Sequence, residues 1–303
     1  FKGSYDSFKN FSLVMRFYVN QNFSSEIWRQ RIYDGDIFLM TNMESGHQMG
    51  DFAETCIYET FGSEKPQTAH KSHSVAEFIE KASQLKSRFT NHKRCKELIR
   101  DFISELDENP KDYFFDVPRL RVITPYDYLH AGVSYQYRPH RDTWYGNPSC
   151  QIQTWMPIFP VEPDLTMPMY PSYFDQEIKN SSSDFDLKRW IEIERPGAAT
   201  QTTTEKRKHP LPQEEIDPAA EVLVAGRRGD ILILSGRHLH GSKPNRGDTV
   251  RFSIDFRIYS EYDLHNAKGP NRLDDQSTNK AYGLKDIFRA SDFSRCKPIE
   301  HID

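Results

Sequence analysis

Residues 250–258 alternate without interruption: Phe252, Ile254, Phe256 and Ile258 fall on one parity, Arg251, Ser253, Asp255 and Arg257 on the other. In an extended strand the two sets stand on opposite faces. A slip of one residue would put large apolar groups where the charges belong, so the register is strongly specified. The chain is thereby committed to a sheet with one wholly apolar face that another layer must cover. Two homes are open to the polar face. In an ordinary amphipathic strand it meets solvent; in a barrel it looks inward, where an arginine can hold a dicarboxylate bidentately.

A covering layer is written upstream. Residues 1 to about 112 read as mainly helical, with Phe78, Ile79, Ala82, Leu85 and Phe89 recurring at three and four residues, and Cys95, Leu98, Ile99, Phe102, Ile103 and Leu106 doing the same. Ser74 and Glu77 form a capping-box pattern that starts the first of these helices, and Asn109-Pro110 closes the second. From Tyr113 the texture changes to short runs bounded by Pro, Gly, Asn and Asp, at 120–123, 133–137, 151–158, 165–169, 221–224, 231–234 and 250–258. Such spacing predicts an antiparallel sandwich or barrel. The polar stretch 173–220 interrupts the series and is expected to form a mobile loop or a lid. The expected class is therefore α+β, mostly β: a helical region 1–116, a β core 117–262 carrying that insertion, and an extension 263–303.

Composition narrows the partners. Lys and Arg number 40 against 44 Asp and Glu, a net charge of −4, which gives no basic footprint for nucleic acid. No apolar run approaches the ~20 residues of a membrane span, so no membrane partner is expected. Cys56, Cys95, Cys150 and Cys296 are far apart and form no CxxC pair. That argues for reduced thiols and a cytoplasmic setting rather than a disulfide framework or structural zinc. The triplets Asn22-Phe23-Ser24 and Asn180-Ser181-Ser182 match glycosylation sequons but carry little weight.

If the backbone is extended through His140-Arg141-Asp142, the imidazole and the carboxylate share a side and can occupy adjacent positions around one metal. Alone, such a triplet is weak, because 11 histidines among 44 acidic residues produce it by accident. The apolar run 231–234, following a Gly229-Asp230 turn, leads into His238-Leu239-His240-Gly241-Ser242, and Arg251 comes eleven residues after His240. A histidine at a strand end followed by Gly is well placed to close a site opened by an earlier strand. His238 is a rival to His240 as distal ligand, and Arg257 a rival to Arg251 as carboxylate clamp. Gln136 and Arg138 share parity with His140, and Trp144 follows on a loop; these three are candidate substrate contacts, Arg138 suiting an anionic substrate.

With these elements in order, the chain resembles the iron(II)- and 2-oxoglutarate-dependent oxygenases, most closely the branch containing phytanoyl-CoA dioxygenase and ectoine hydroxylase. The resemblance spans roughly residues 117 to 262, on Tyr137 to Asp142, Gln153-Thr154-Trp155-Met156-Pro157, Ala225-Gly226, Gly229 to Ile233, His240 to Asn245, and Arg251. It implies a double-stranded β-helix, or jelly roll, with the N-terminal helices packed on its larger sheet. It also implies that His140, Asp142 and His240 hold Fe(II) as a facial triad, with positions left for 2-oxoglutarate and O2. Arg251 would pair with the far carboxylate of the co-substrate, Ser242 would add a hydrogen bond, and Trp155 matches an aromatic beside it. Because the carboxylate of Asp142 is present, hydroxylation of a small-molecule substrate is expected and halogenation is not; desaturation or cyclisation would use the same chemistry. Two departures stand out: Tyr170-Pro171-Ser172-Tyr173 lacks the Gly and His of the family's Pro-Gly-Ser-His segment, and the stretch between Asp142 and Trp155 is a few residues short. A cupin-like metal-binding protein without oxygenase activity, needing no Arg251, is the competing expectation. A jelly roll of the lectin type, with an accidental His-x-Asp, is another.

Overall fold

A computed structural model describes residues 15–62, 65–277 and 287–296. Its strands are β1 (Phe17–Val19), β2 (Ile37–Met40), β3 (Tyr113–Asp116), β4 (Arg119–Ile123), β5 (Ile152–Pro157), β6 (Ile231–Ser235), β7 (Arg251–Ser260) and β8 (Ile287–Arg289). The helices are α1 (Ser25–Tyr33), α2 (Glu44–Phe61), α3 (Val75–Asn91), α4 (Lys93–Glu105), the single turn α5 (Leu187–Arg189) and α6 (Glu261–His265). The strands form one mixed sheet in the order β1-β2-β6-β5-β7-β3-β8, with β4 also on β7. The pairing of β1 with β2 is parallel and the others are antiparallel.

Strand β7 organises the sheet. One edge pairs with β5 from Ser253 to Ile258; the other pairs with β4 from Arg251 to Asp255 and then with β3 from Ile258 to Ser260. Its apolar parity, Phe252, Ile254, Phe256 and Ile258, is buried in one core with Phe61 of α2, Phe78 and Phe89 of α3, and Leu98 and Phe102 of α4. Phe102 meets Phe256 edge-on at 5.3 Å, and Phe61 lies 6.0 Å from Phe252. Helix α3 begins at the capping box read from sequence, with Ser74 and Glu77 bonded reciprocally. The other parity of β7 faces a cavity, joined there by Arg119 and Arg121 of β4 and by Gln153 and Trp155 of β5. Register sets Trp155 opposite Asp255 and Gln153 opposite Arg257.

Across the cavity the chain is less regular. Single antiparallel bridges join His140 to His240, Met169 to His240, Met169 to Val222 and Val161 to Gly226. The strands expected at 133–137, 165–169 and 221–224 do not form. In their place are 3-10 turns at Gly132–Ser134 and Pro163–Leu165 and the isolated bridges at Met169 and Val222. Pro139, Pro163 and Pro168 remove ladder donors from these segments. Gly132 has φ +58°, and a Cβ there would lie 2.5–2.8 Å from the carbonyl oxygens of Ala198, Ala199 and Gln201. The turn therefore accepts the polar insertion at close range. Within that insertion, α5 runs into a π-helical turn, Trp190–Glu194. Strands β1 and β2, in the part read as mainly helical, and β8 near the C-terminus extend the sheet beyond the span 117–262. Among the described residues no helix is long and apolar enough to cross a membrane.

Phe256→Ala should cost about 3–5 kcal/mol of unfolding free energy, the usual range for removing a buried ring. Tyr262→Ala, at a side chain 62% exposed, should stay within about 0.5 kcal/mol. Urea titrations followed by circular dichroism compare the two.

Candidate metal centre and its cavity

His140 and His240 are held by backbone before any side-chain contact is counted. The N–H of each donates to the carbonyl of the other, at 2.9 and 3.0 Å. Each Nδ1 also lies by a carbonyl two residues back, Arg138 O at 2.8 Å for His140 and His238 O at 2.9 Å for His240. A carbonyl can only accept, so both Nδ1 atoms carry the proton and both Nε2 lone pairs are free. Those Nε2 atoms face Asp142 Oδ1 at 3.7 and 3.9 Å. One ligand atom from each of the three side chains lies within 4.8 Å of the other two, and all three residues are buried.

The second oxygen of Asp142 is already engaged. Oδ2 accepts from Gln151 Nε2 at 2.5 Å and from Arg257 Nε at 3.0 Å, which leaves Oδ1 turned to the histidines. Burial alone would raise this carboxyl, but the Arg257 charge and the two imidazoles override it and hold it well below the usual carboxylate range. Burial, with His140 beside it, pushes the His240 imidazole down to about 4. At neutral pH His240 therefore offers a neutral nitrogen and Asp142 an ionised oxygen, the protonation states a divalent cation requires.

Arg251 lies at the same cavity with an incomplete set of partners. Its Nη1 donates to the carbonyls of Leu165 and Thr166 at 3.0 and 3.2 Å, and Nη2 reaches Ser242 Oγ at 3.5 Å. The buried Nε has no partner. Among the described residues no carboxylate pairs with this guanidinium; the nearby Asp255 is taken bidentately by Arg121, at 2.5 and 3.0 Å. Burial and the Arg121 charge lower it to about 10, against a slight lift from Asp255. The Trp155 ring lies 5.9 Å from its guanidinium carbon. A buried cation with only neutral acceptors is a site waiting for an anion.

One cavity of about 730 Å³ brings together His140, Asp142, His240, Arg251, Ser242 and Trp155. The other three candidates lie outside its lining. Gln136 is buried in a structural role, donating to Thr124 O and accepting from Asn245 N. Arg138 is exposed, and Trp144 is buried against Tyr170, Ile178 and Leu239 with Nε1 on Asp274. The parity assumed for Gln136 and Arg138 fails because no strand forms there, and Trp144 lies in the 3-10 turn Asp142–Tyr145. His238 follows a turn and points to Gly35 O at 3.0 Å, away from the cluster. Arg257 serves carboxylates of the protein itself, Asp142 at 3.0 Å and Asp116 at 3.1 Å. Sequence reasoning missed Gln151 and Arg121. The Gln151-x-Gln153-x-Trp155 alternation was a legible signal for the first; nothing local marked the second.

No family model matches this chain, and no curated protein does. Among solved structures, the non-heme monooxygenase ThoJ is 16% identical over 73% of this chain and 71% of its own, with a TM-score of 0.39. EvdO2 from Micromonospora carbonacea var. aurantiaca, complexed with 2-oxoglutarate, is 14% identical over 59% and 64%, with a TM-score of 0.39. The non-heme alpha-ketoglutarate-dependent carbocyclase SnoK from nogalamycin biosynthesis is 17% identical over 84% and 94%, again at 0.39. At that distance the functional reading rests on this chain's own residues.

Isothermal titration with Co(II) should find one site per chain, lost in Asp142→Ala and in His240→Ala. Gln151→Ala, which removes the bond orienting Asp142 together with longer contacts to Gln153 and Tyr259, should weaken Co(II) about 10- to 100-fold while circular dichroism stays unchanged.

Proposed function

We propose that this protein is a non-haem iron(II)- and 2-oxoglutarate-dependent oxygenase that hydroxylates a C–H bond of a small organic molecule. The observation that carries this reading is the meeting, in one cavity, of a buried His-Asp-His cluster with a buried arginine that has no carboxylate partner. Two imidazoles and one carboxylate on one side of a cation are the donor set of iron(II) oxygenases, with positions left open for co-substrate and O2. The orphaned Nε of Arg251 fits the far carboxylate of 2-oxoglutarate.

Bound iron(II) supplies the redox chemistry by which O2 converts 2-oxoglutarate to succinate and CO2 and delivers its other oxygen atom to the substrate C–H bond. The chain's residues prepare that chemistry. His140 and His240 present Nε2 atoms fixed by the carbonyls at Nδ1, and Arg257 keeps Asp142 ionised while Gln151 sets its orientation. Arg251 and Ser242 orient the co-substrate, and Trp155 packs beside them. Tyr137 and Tyr145, 5.5 and 5.4 Å from the His140 ring, line the cavity beside the cluster. Asp142 occupies the position a halide would need, so hydroxylation is the proposed outcome. The matching fold reading is a double-stranded β-helix, with the eight-stranded sheet as its larger half and the bridged segments at His140, His240, Met169 and Val222 as the remnant of its smaller one.

Anaerobic addition of iron(II) and 2-oxoglutarate should produce a visible charge-transfer band, and admitting O2 should release succinate. Arg251→Leu should keep the metal and weaken 2-oxoglutarate about 10- to 100-fold, as expected from the ~1.5–3 kcal/mol of hydrogen bonds to a charged group. Metal binding without the band would support the cupin-like alternative and overturn the reading.

A further inference from the structure

The cavity does not end at the metal cluster. Away from it lies a lobe between α3 and the polar insertion, lined by Lys86, Tyr135, Tyr137, Trp190, Arg195 and Arg207. Aromatic rings connect the two ends. Tyr137 lies 5.5 Å from the His140 ring and 4.7 Å from Tyr135. Tyr135 stacks on His209 at 4.5 Å, and Trp190 meets His209 at 6.1 Å. A flat carbon skeleton could run along this wall.

The lobe is cationic, and its charges are unequally matched. Arg121 is paired bidentately with Asp255, and Arg207 with Glu205 at 2.6 Å for both contacts. Lys86 has no such partner. Its Nζ donates to Val133 O at 2.8 Å, next to Gly132 O, which accepts from Arg207 at 3.2 Å, and among the described residues it makes no ion pair. Arg195, exposed on the insertion and lining the same cavity, likewise makes no ion pair among the described residues. Burial and the charges of Arg121, Arg207 and Arg195 together push the Lys86 ammonium down to about 7. Like charges gathered around a half-buried amine, with aromatic faces beside them, are stabilised by a ligand that brings a negative group and a flat body.

We propose that this lobe anchors an anionic group of the substrate, a carboxylate, sulfonate or phosphate, on Lys86 and Arg195, while the tyrosine wall lays the carbon skeleton toward His140. As an account of the substrate this rests on the oxygenase reading; the anion site itself does not require the metal.

The probe is 8-anilinonaphthalene-1-sulfonate, with neutral N-phenyl-1-naphthylamine as its control, titrated by fluorescence into the full-length protein. The sulfonate should bind one per chain. Lys86→Met should weaken it at least tenfold and leave the neutral compound within twofold, and Lys86→Arg should restore the sulfonate to within threefold of wild type. Should Lys86→Met fail to fold, Arg195→Gln, at an exposed side chain, should still weaken the sulfonate about threefold. Equal sulfonate affinity in wild type and variants, or an equal loss for the neutral compound, would overturn the proposal. The wild-type charge-transfer band separates the two readings. A missing band with Lys86-dependent sulfonate binding sinks the oxygenase and leaves the anion site; a band with Lys86-independent binding sinks the anion site alone.

Discussion

Strand β7 is buried on both faces, and its charged face sets the terms for what surrounds it. An isolated ion in that position costs several kcal/mol, so each charge has to be met from another element. Arg257 bridges Asp142 and Asp116, Arg121 takes Asp255 with both of its arms, and Arg119 closes on Asp116. Four guanidiniums, Arg119, Arg121, Arg251 and Arg257, thus share three carboxylates, Asp116, Asp142 and Asp255. The unmatched cation is Arg251. Compensation everywhere else along the strand is what makes its lack of a partner informative.

The same network prepares the metal cluster. Asp142 presents a single free oxygen because Arg257 and Gln151 occupy the other. The imidazoles present their Nε2 atoms because carbonyls two residues back fix both tautomers. The reciprocal backbone bonds between His140 and His240 bring together residues a hundred positions apart, which loop geometry alone would hold less firmly. A cation entering here meets ligands already oriented, so little ordering cost is left to the binding step.

Much of this was legible in the sequence, for a physical reason. The alternation in β7 and the heptad-like spacing in α3 and α4 are periodic, and periodicity survives without knowledge of tertiary contacts. The capping box at Ser74 is local chemistry and was equally readable. What failed was parity carried across Pro139 and Pro168. The faces assigned to Gln136 and Arg138 needed a continuous strand, and the prolines leave only single bridges. Arg141 points away from His140 and Asp142 and is buried on the carbonyls of Arg237, Tyr173 and Gln176, because the two-residue step from His140 to Asp142 stays extended. Alternation held where the backbone stayed extended and failed where prolines break it. Strands β1, β2 and β8 are three or four residues long and recruited by the sheet, so they left no pattern to find.

Charge balance links the two ends of the cavity. Iron(II) and the dianion of 2-oxoglutarate cancel, so loading the proposed site leaves the excess positive charge of the β7 network where it was. Lys86 and Arg195 add to that excess at the other end, where Arg121 and Arg207 spend their charge on Asp255 and Glu205. A neutral substrate would leave a half-buried amine among guanidiniums with only a carbonyl to bond. An anionic one would relieve that repulsion only by placing its charge at the lobe, and its carbon skeleton would then lie along Tyr135 and Tyr137 toward His140. In the proposed arrangement charge would fix the depth of the substrate and the aromatic wall its direction, and together these would select the C–H bond presented to the cluster.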